Sequence, residues 1–217
     1  MIGKFKNIFF DFDGVLVESV RVKADAFYTL YEPFGEVVAT KVKQYHYQNG
    51  GLSRFDKIAF CHKKLLGLSL SKEELTSKAQ EFSKLVLQGV INSPEVSGAH
   101  AFLKKYSPDM GLWIITGTPT LEIQTIIKAR NMTHYFNGLY GSPESKTHWA
   151  NHILDVYDLS PNETVFIGDA IQDQKAAENT GVSFILRETP DNQNCFSEYA
   201  GTRLSDLTKL EEVLLTL

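Results

Sequence analysis

The run Ile8-Phe9-Phe10-Asp11-Phe12-Asp13-Gly14-Val15-Leu16 constrains this chain more than any other segment. An apolar stretch with the character of a buried strand stops at two carboxylates spaced i, i+2, and a glycine then turns the chain. Carboxylates at the edge of an apolar core are costly unless something positive pairs with them. A hard divalent cation such as Mg2+, which takes oxygen ligands, is the natural partner. Open α/β sheets bind ligands at the carboxyl ends of their strands, so the pair predicts a site as well as a strand. Taken alone, the segment also fits a polar turn that merely closes a strand.

Four further apolar runs read as strands, at residues 111–116, 138–141, 164–168 and 182–186, with the first at 7–11. Helix-period segments separate most of them, such as Pro119 to Arg130 and Ile171 to Asn179. Strands alternating with helices predict a doubly wound parallel sheet of the α/β class, with right-handed crossovers. The alternation breaks between residues 17 and 90, where no convincing strand occurs. Helical patterns at Ser19–Tyr31, Ser53–Leu66 and Ser71–Gln88 fill that interval, the last two opening on a serine N-cap. This predicts a small all-helical cap domain over 17–90, inserted into a core domain made of 1–16 and 91–217. The expected hinges are the segment after Leu16 and the Asn92-Ser93-Pro94 turn.

Composition narrows the function classes. With 22 Lys plus Arg against 26 Asp plus Glu, the net charge of −4 argues against nucleic acid or an anionic membrane as partner. No apolar run reaches the length of a transmembrane helix. Cys61 and Cys195 form no metal-ligand pattern and read as free thiols. With no signal-peptide pattern at the start of the sequence, the expected address is the cytoplasm. Oligomeric state leaves no mark in the sequence.

The other predicted strand ends carry their own chemistry. The second ends Ile115-Thr116-Gly117-Thr118-Pro119, with a hydroxyl at the tip and backbone N–H groups at a helix entry able to hold an oxyanion. Thr116 by itself also fits an ordinary strand-to-helix turn. After the third strand comes Lys146, at a helix start where the dipole disfavours a cation, as though it neutralises nearby anions. The fourth ends Gly168-Asp169-Ala170-Ile171-Gln172-Asp173. Asp169 suits a helix cap, but acids recurring at two strand ends call for more than capping. Together Asp11, Asp13, Thr116, Lys146, Asp169 and Asp173 supply the parts for phosphoryl transfer: a carboxylate nucleophile, a proton carrier, and cations to neutralise the assembly.

The order and spacing of these residues resemble the haloacid dehalogenase superfamily, in its phosphatase branch. The motifs D-F-D-G-V-L at 11–16 and G-D-A-I-Q-D at 168–173 carry most of the resemblance. The helical insert looks like the family's C1-type cap, as in phosphoglycolate phosphatases and β-phosphoglucomutases. The resemblance implies a Mg2+-dependent phosphatase acting on a small phosphorylated metabolite through an aspartyl-phosphate. It makes Asp11 the nucleophile and Asp13 the general acid/base. The Asp11 side chain, the Asp13 backbone carbonyl and Asp169 would bind Mg2+, with Asp173 in the metal shell directly or through water. Thr116 and the Gly117 amide would hold phosphoryl oxygens, while Lys146 orients Asp11. An acid at position 13 favours phosphoryl transfer over dehalogenation, because halide leaves without a proton.

The cap should choose the substrate, and Tyr45–Arg54 is the expected specificity loop. Gly50-Gly51 permits a tight turn, and Arg54 is placed to bind a second anionic group; a solvated residue in the first turn of a helix is the plainer account of it. Arg21 and Lys23 are accounted for by a solvated helix face. Phe27, Tyr28, Tyr31 and Phe34 read as cap packing, and Trp113 as core. A receiver-type signalling domain uses similar residues in a different order and has no cap. A β-phosphoglucomutase-like phosphotransferase shares every core residue and differs in the acceptor of the phosphoryl group. A catalytically silent binding protein fits poorly with six competent positions.

Overall fold

The computed structural model describes residues 2–217. Strand β1 (Asn7–Phe10) leads into four helices, α1 (Val20–Tyr31), α2 (Glu36–Gln48), α3 (Arg54–Cys61) and α4 (Lys72–Asn92). Then follow α5 (Ala99–Tyr106), β2 (Gly111–Pro119), α6 (Thr120–Ala129), β3 (Gly138–Ser142), α7 (Lys146–Val156) and β4 (Thr164–Gly168). The chain closes with α8 (Ile171–Thr180), β5 (Ser183–Arg187), β6 (Arg203–Leu204) and α9 (Leu210–Thr216).

The six strands form one parallel sheet in the order β3-β2-β1-β4-β5-β6, the expected doubly wound α/β architecture. The chain winds outward from β1 to β3 and returns to β4 on the other side of β1. The winding therefore reverses at β1, which puts a ligand crevice at the carboxyl ends of β1, β2 and β4.

Successive residues of each strand face opposite layers. Ile8, Phe10, Leu112, Ile114, Val165 and Ile167 pack with α5, α6 and α9, whereas Phe9, Trp113, Ile115 and Phe166 pack beneath α7 and α8. Phe9 meets Trp113 and Phe166 edge-on, with ring centroids 5.8 and 6.1 Å apart. Burying each such ring contributes roughly 1.5–3 kcal/mol, which holds the strand ends in fixed register beneath the crevice.

Helices α1–α4 form a helical layer whose core is continuous with that of the sheet; within it Phe27 and Phe82 lie 4.2 Å apart between centroids. Ser71 caps α4 in a reciprocal box: its hydroxyl accepts from Glu74 N at 3.2 Å and its own N donates to Glu74 at 2.7 Å. The two crossings between these helices and the sheet run side by side. Val96 N donates to Leu16 O at 3.0 Å and Glu18 N to Pro94 O at 2.9 Å.

Several local expectations change. Helix α2 lies outside the segments whose periodicity predicts a helix; two β-branched residues, Val37 and Val38, sit in its first turn. Because α2 runs to Gln48, the loop expected over 45–54 shortens to Asn49–Ser53. The helix expected over 53–66 is α-helical only to Cys61 and continues as a π turn over His62–Leu66. Strand β2 continues three residues past Thr116, and β6 is too short to leave a pattern. Among the described residues no helix is long and apolar enough to cross a membrane.

Candidate active site

Asp11 extends the ladder of β1 by one residue, its N–H donating to Ile167 O at 2.9 Å. Its side chain accepts from Phe12 N at 2.7 Å through Oδ1 and from Lys146 Nζ at 2.9 Å through Oδ2. Lys146 opens α7 behind the N-cap Ser145, and its ammonium also reaches Asp173 Oδ1 at 2.5 Å. Burial and the helix dipole both work against a charge there. The two carboxylates outweigh the burial and hold the ammonium above its ordinary range.

The turn after β4 differs from expectation in one respect. The N-cap position of α8 is Ala170, not Asp169, and the Asp173 carboxylate satisfies the Ala170 N–H at 3.0 Å. Asp169 is thereby left free of capping and is directed at Asp11. Gly14 makes room for it: with φ +78°, a Cβ there would stand 2.1 Å from Asp169 Oδ2.

Oxygens of Asp11, Asp169 and Asp173 lie within 4.8 Å of one another. Burial, then the charges of Asp11 and Asp173, push Asp169 well above the usual carboxylate range. Burial, with Asp11 nearby, pushes Asp173 up to about 7 against the opposing pull of Lys146. Three carboxylates against one ammonium leave two negative charges uncompensated. An all-oxygen set with that deficit fits a hard divalent cation.

The Asp13 carboxylate turns away from this cluster. It accepts from Lys23 Nζ, from Ser19 Oγ at 2.6 Å and from Thr118 Oγ1 at 3.1 Å. Burial alone pushes Asp13 up, but the Lys23 ammonium and the hydroxyls outweigh it and hold the carboxyl below its ordinary range. Lys23 is therefore not on a solvated helix face. It is buried and bridges Asp13 to Thr118 Oγ1, the latter at 2.6 Å, because α1 aims this one side chain down into the crevice. Arg21, two residues earlier, is exposed as expected.

Thr116 is buried beside the acids, its hydroxyl accepting from Thr118 N at 3.2 Å. Gly117 lies under the shortened loop of the helical layer, so close that a Cβ would come within 2.9 Å of Gly51 O. The cleft between the layers encloses ≈ 830 Å³ of atom-free space, open mouth included, and Asp11, Asp13, Thr116 and Asp169 line its sheet side.

From the helical side Arg54, Lys57 and His46 reach the same cleft. Arg54 is buried rather than solvated. It donates to Glu122 of α6 at 2.7 and 2.5 Å and to Ser83 at 2.5 Å, with the Phe82 ring 4.8 Å from its guanidinium carbon. Lys57 lies 3.0 Å from His46 Nδ1. His46 falls within the segment expected to choose the substrate, and Lys23 lies in the cleft rather than on a solvated face; Thr118 and Lys57 are additional to the expected residues. For Lys57 the sequence signal is helical spacing, since it follows Arg54 by three positions and so shares its face.

The pattern of haloacid dehalogenase-like hydrolases matches residues 8–187, most of the chain. The protein belongs to that family. A phosphoglycolate phosphatase of Mannheimia succiniciproducens is 27% identical to this haloacid dehalogenase-like hydrolase over 200 residues, covering 85% of this chain and 86% of that one. The solved structure of CbbY from Rhodobacter sphaeroides, in complex with phosphate, superposes with a TM-score of 0.75 at 17% identity over 100% of both chains. A candidate β-phosphoglucomutase from Bacteroides vulgatus gives 0.74 at 19% identity, over 98% of this chain and 89% of that one. At such identities the two structures bear on the fold of this hydrolase, which they share.

Proposed function

We propose that this hydrolase is a Mg2+-dependent phosphomonoesterase that cleaves a small phosphorylated metabolite through an aspartyl-phosphate. The observation that carries the reading is Lys146 shared between Asp11 and Asp173, with Asp169 in the same buried cluster. Asp11, Asp169, the Asp13 backbone carbonyl and Asp173, directly or through water, would hold the Mg2+. Bound there, the ion offsets the charge of the carboxylates and of the phosphoryl oxygens.

Asp11 attacks phosphorus in line with the leaving oxygen, forming an acyl-phosphate as the ester P–O bond breaks. Asp13 gives a proton to that oxygen, then takes one from the water that attacks phosphorus and frees Asp11. Lys23 keeps Asp13 ionised in the empty cleft. An arriving phosphate dianion adds negative charge and favours the protonated acid that the first step needs. Thr116, the Gly117 amide and Lys146 hold the phosphoryl oxygens. Residues 17–90 act as the cap, which closes over the substrate and excludes bulk water, while 1–16 and 91–217 form the catalytic core.

Purified protein with Mg2+ is expected to release phosphate from an aryl phosphate and from some members of a phosphometabolite panel, and to stop in chelator. No release from any of them overturns the proposal.

A further inference from the structure

The cations around the cleft are not equivalent. Lys146 is matched by Asp11 and Asp173, Lys23 by Asp13, and Arg54 by Glu122. Lys57 is also buried, with 3% of its surface exposed, yet among the described residues no carboxylate pairs with it. Its polar neighbour is a neutral imidazole. Burial and the charges of Lys57 and Lys23 hold the His46 imidazole well below its ordinary range, so its Nδ1, 3.0 Å from the Lys57 ammonium, can accept from it. The Phe27 ring lies 5.8 Å from the ammonium nitrogen. Among the described residues, two of the three ammonium donors therefore have no partner.

A buried, uncompensated cation is costly, and proteins retain few of them. Burial and the charge of Lys23 depress Lys57 to about 7, while Asp13 and Asp169 pull the other way. That places Lys57 within electrostatic reach of the acids proposed for catalysis, on the opposite wall of the same cleft.

Resting on the phosphatase reading, we propose that Lys57, oriented by His46, is the subsite for a second anionic group on the leaving-group half of the substrate. The enzyme would then select phosphomonoesters that also bear a carboxylate or a further phosphate. Arg54, the other cation of α3, is already occupied by Glu122 and does not serve this role.

Three esters on one scaffold test this: hydroxyethyl phosphate, phosphoglycolate and ethylene glycol bisphosphate. The wild-type protein is expected to show kcat/KM at least ~10-fold higher for one of the two anionic esters than for hydroxyethyl phosphate, and which one identifies the anion. Lys57→Met should bring that ratio to within about 2-fold of unity, whereas Lys57→Arg should retain most of it. A wild-type ratio at or below one for both anionic esters overturns the subsite and needs no variant. An unchanged ratio in Lys57→Met overturns it as well. Protein that cleaves an aryl phosphate but none of the three esters keeps the phosphatase reading and loses the subsite. Protein that cleaves nothing loses both.

Discussion

Arg54 of α3 and Glu122 of α6 meet through two parallel hydrogen bonds of 2.7 and 2.5 Å, with 4% and 9% of their side-chain surfaces exposed. The pair joins the helical layer to the sheet layer at the edge of the cleft. Removing one partner strands the other's charge in a buried position, which costs about 3–5 kcal/mol where the layers stay closed. Arg54→Met and Glu122→Gln are each expected to raise KM for a panel substrate. In the double variant the losses should fail to add, with a coupling of roughly 1–3 kcal/mol in the kcat/KM cycle. Additive losses would show that the pair does not hold the layers together during turnover.

Asp11→Asn removes the proposed nucleophile while preserving the shape of the side chain and its bond to Phe12 N. Phosphate release should fall by at least ~10³-fold, with the circular dichroism spectrum unchanged. Turnover near the wild-type rate, in protein shown by mass spectrometry to be free of deamidation, would rule out Asp11 as nucleophile.

Lys23→Met leaves Asp13 with only the Ser19 and Thr118 hydroxyls. The opposing push of burial then prevails, and the Asp13 pKa rises. The second step needs Asp13 as a carboxylate, so the acidic limb of the kcat profile should move toward higher pH by about 1–3 pH units. A uniform fall in kcat without movement of the limb would mark Lys23 as a packing residue only.

The acidic cluster sets a stability prediction with a definite sign. Asp173 has a folded pKa of about 7 against an ordinary 3.8, so the native state binds more protons than the unfolded chain between those values. The cluster's contribution to stability is present below about pH 4 and is lost as pH rises through about 7. A divalent cation among the carboxylates cancels that loss. Saturating Mg2+ should therefore raise Tm by roughly 5–10 °C at pH 8, by much less at pH 5, and by little in Asp169→Asn. An equal Tm increment at both pH values would argue against metal binding by these acids.

Much of this architecture is written in local sequence pattern. Asp11, Thr116 and Asp169 are legible because each apolar run stops abruptly at a polar residue, although β2 itself runs on to Pro119, and chain order alone brings these positions together in a doubly wound sheet. Lys146 was legible because it opposes the dipole of its helix. The helical wall of the cleft was not. Lys23 shares the buried face of α1 with Phe27 and Leu30 at i+4 and i+7, but that spacing marks a face and not the Asp13 carboxylate that the face meets. From sequence Arg54 fits either a substrate ligand or a solvated residue, because its partner, Glu122, lies 68 positions away. Asp169 looked like a cap because the residue that takes over that duty, Asp173, is itself one turn further on.

The paired crossings between the layers have a mechanical consequence. With Leu16 bonded to Val96 and Glu18 to Pro94, the connection is a narrow two-stranded ribbon rather than two independent tethers. A ribbon flexes readily across its flat face and resists both shear and twist. Were the helical layer to lift from the sheet, it would turn about that one axis, like a door on a strip hinge. Closing would then return Lys23, Arg54 and Lys57 to the same places over the strand ends.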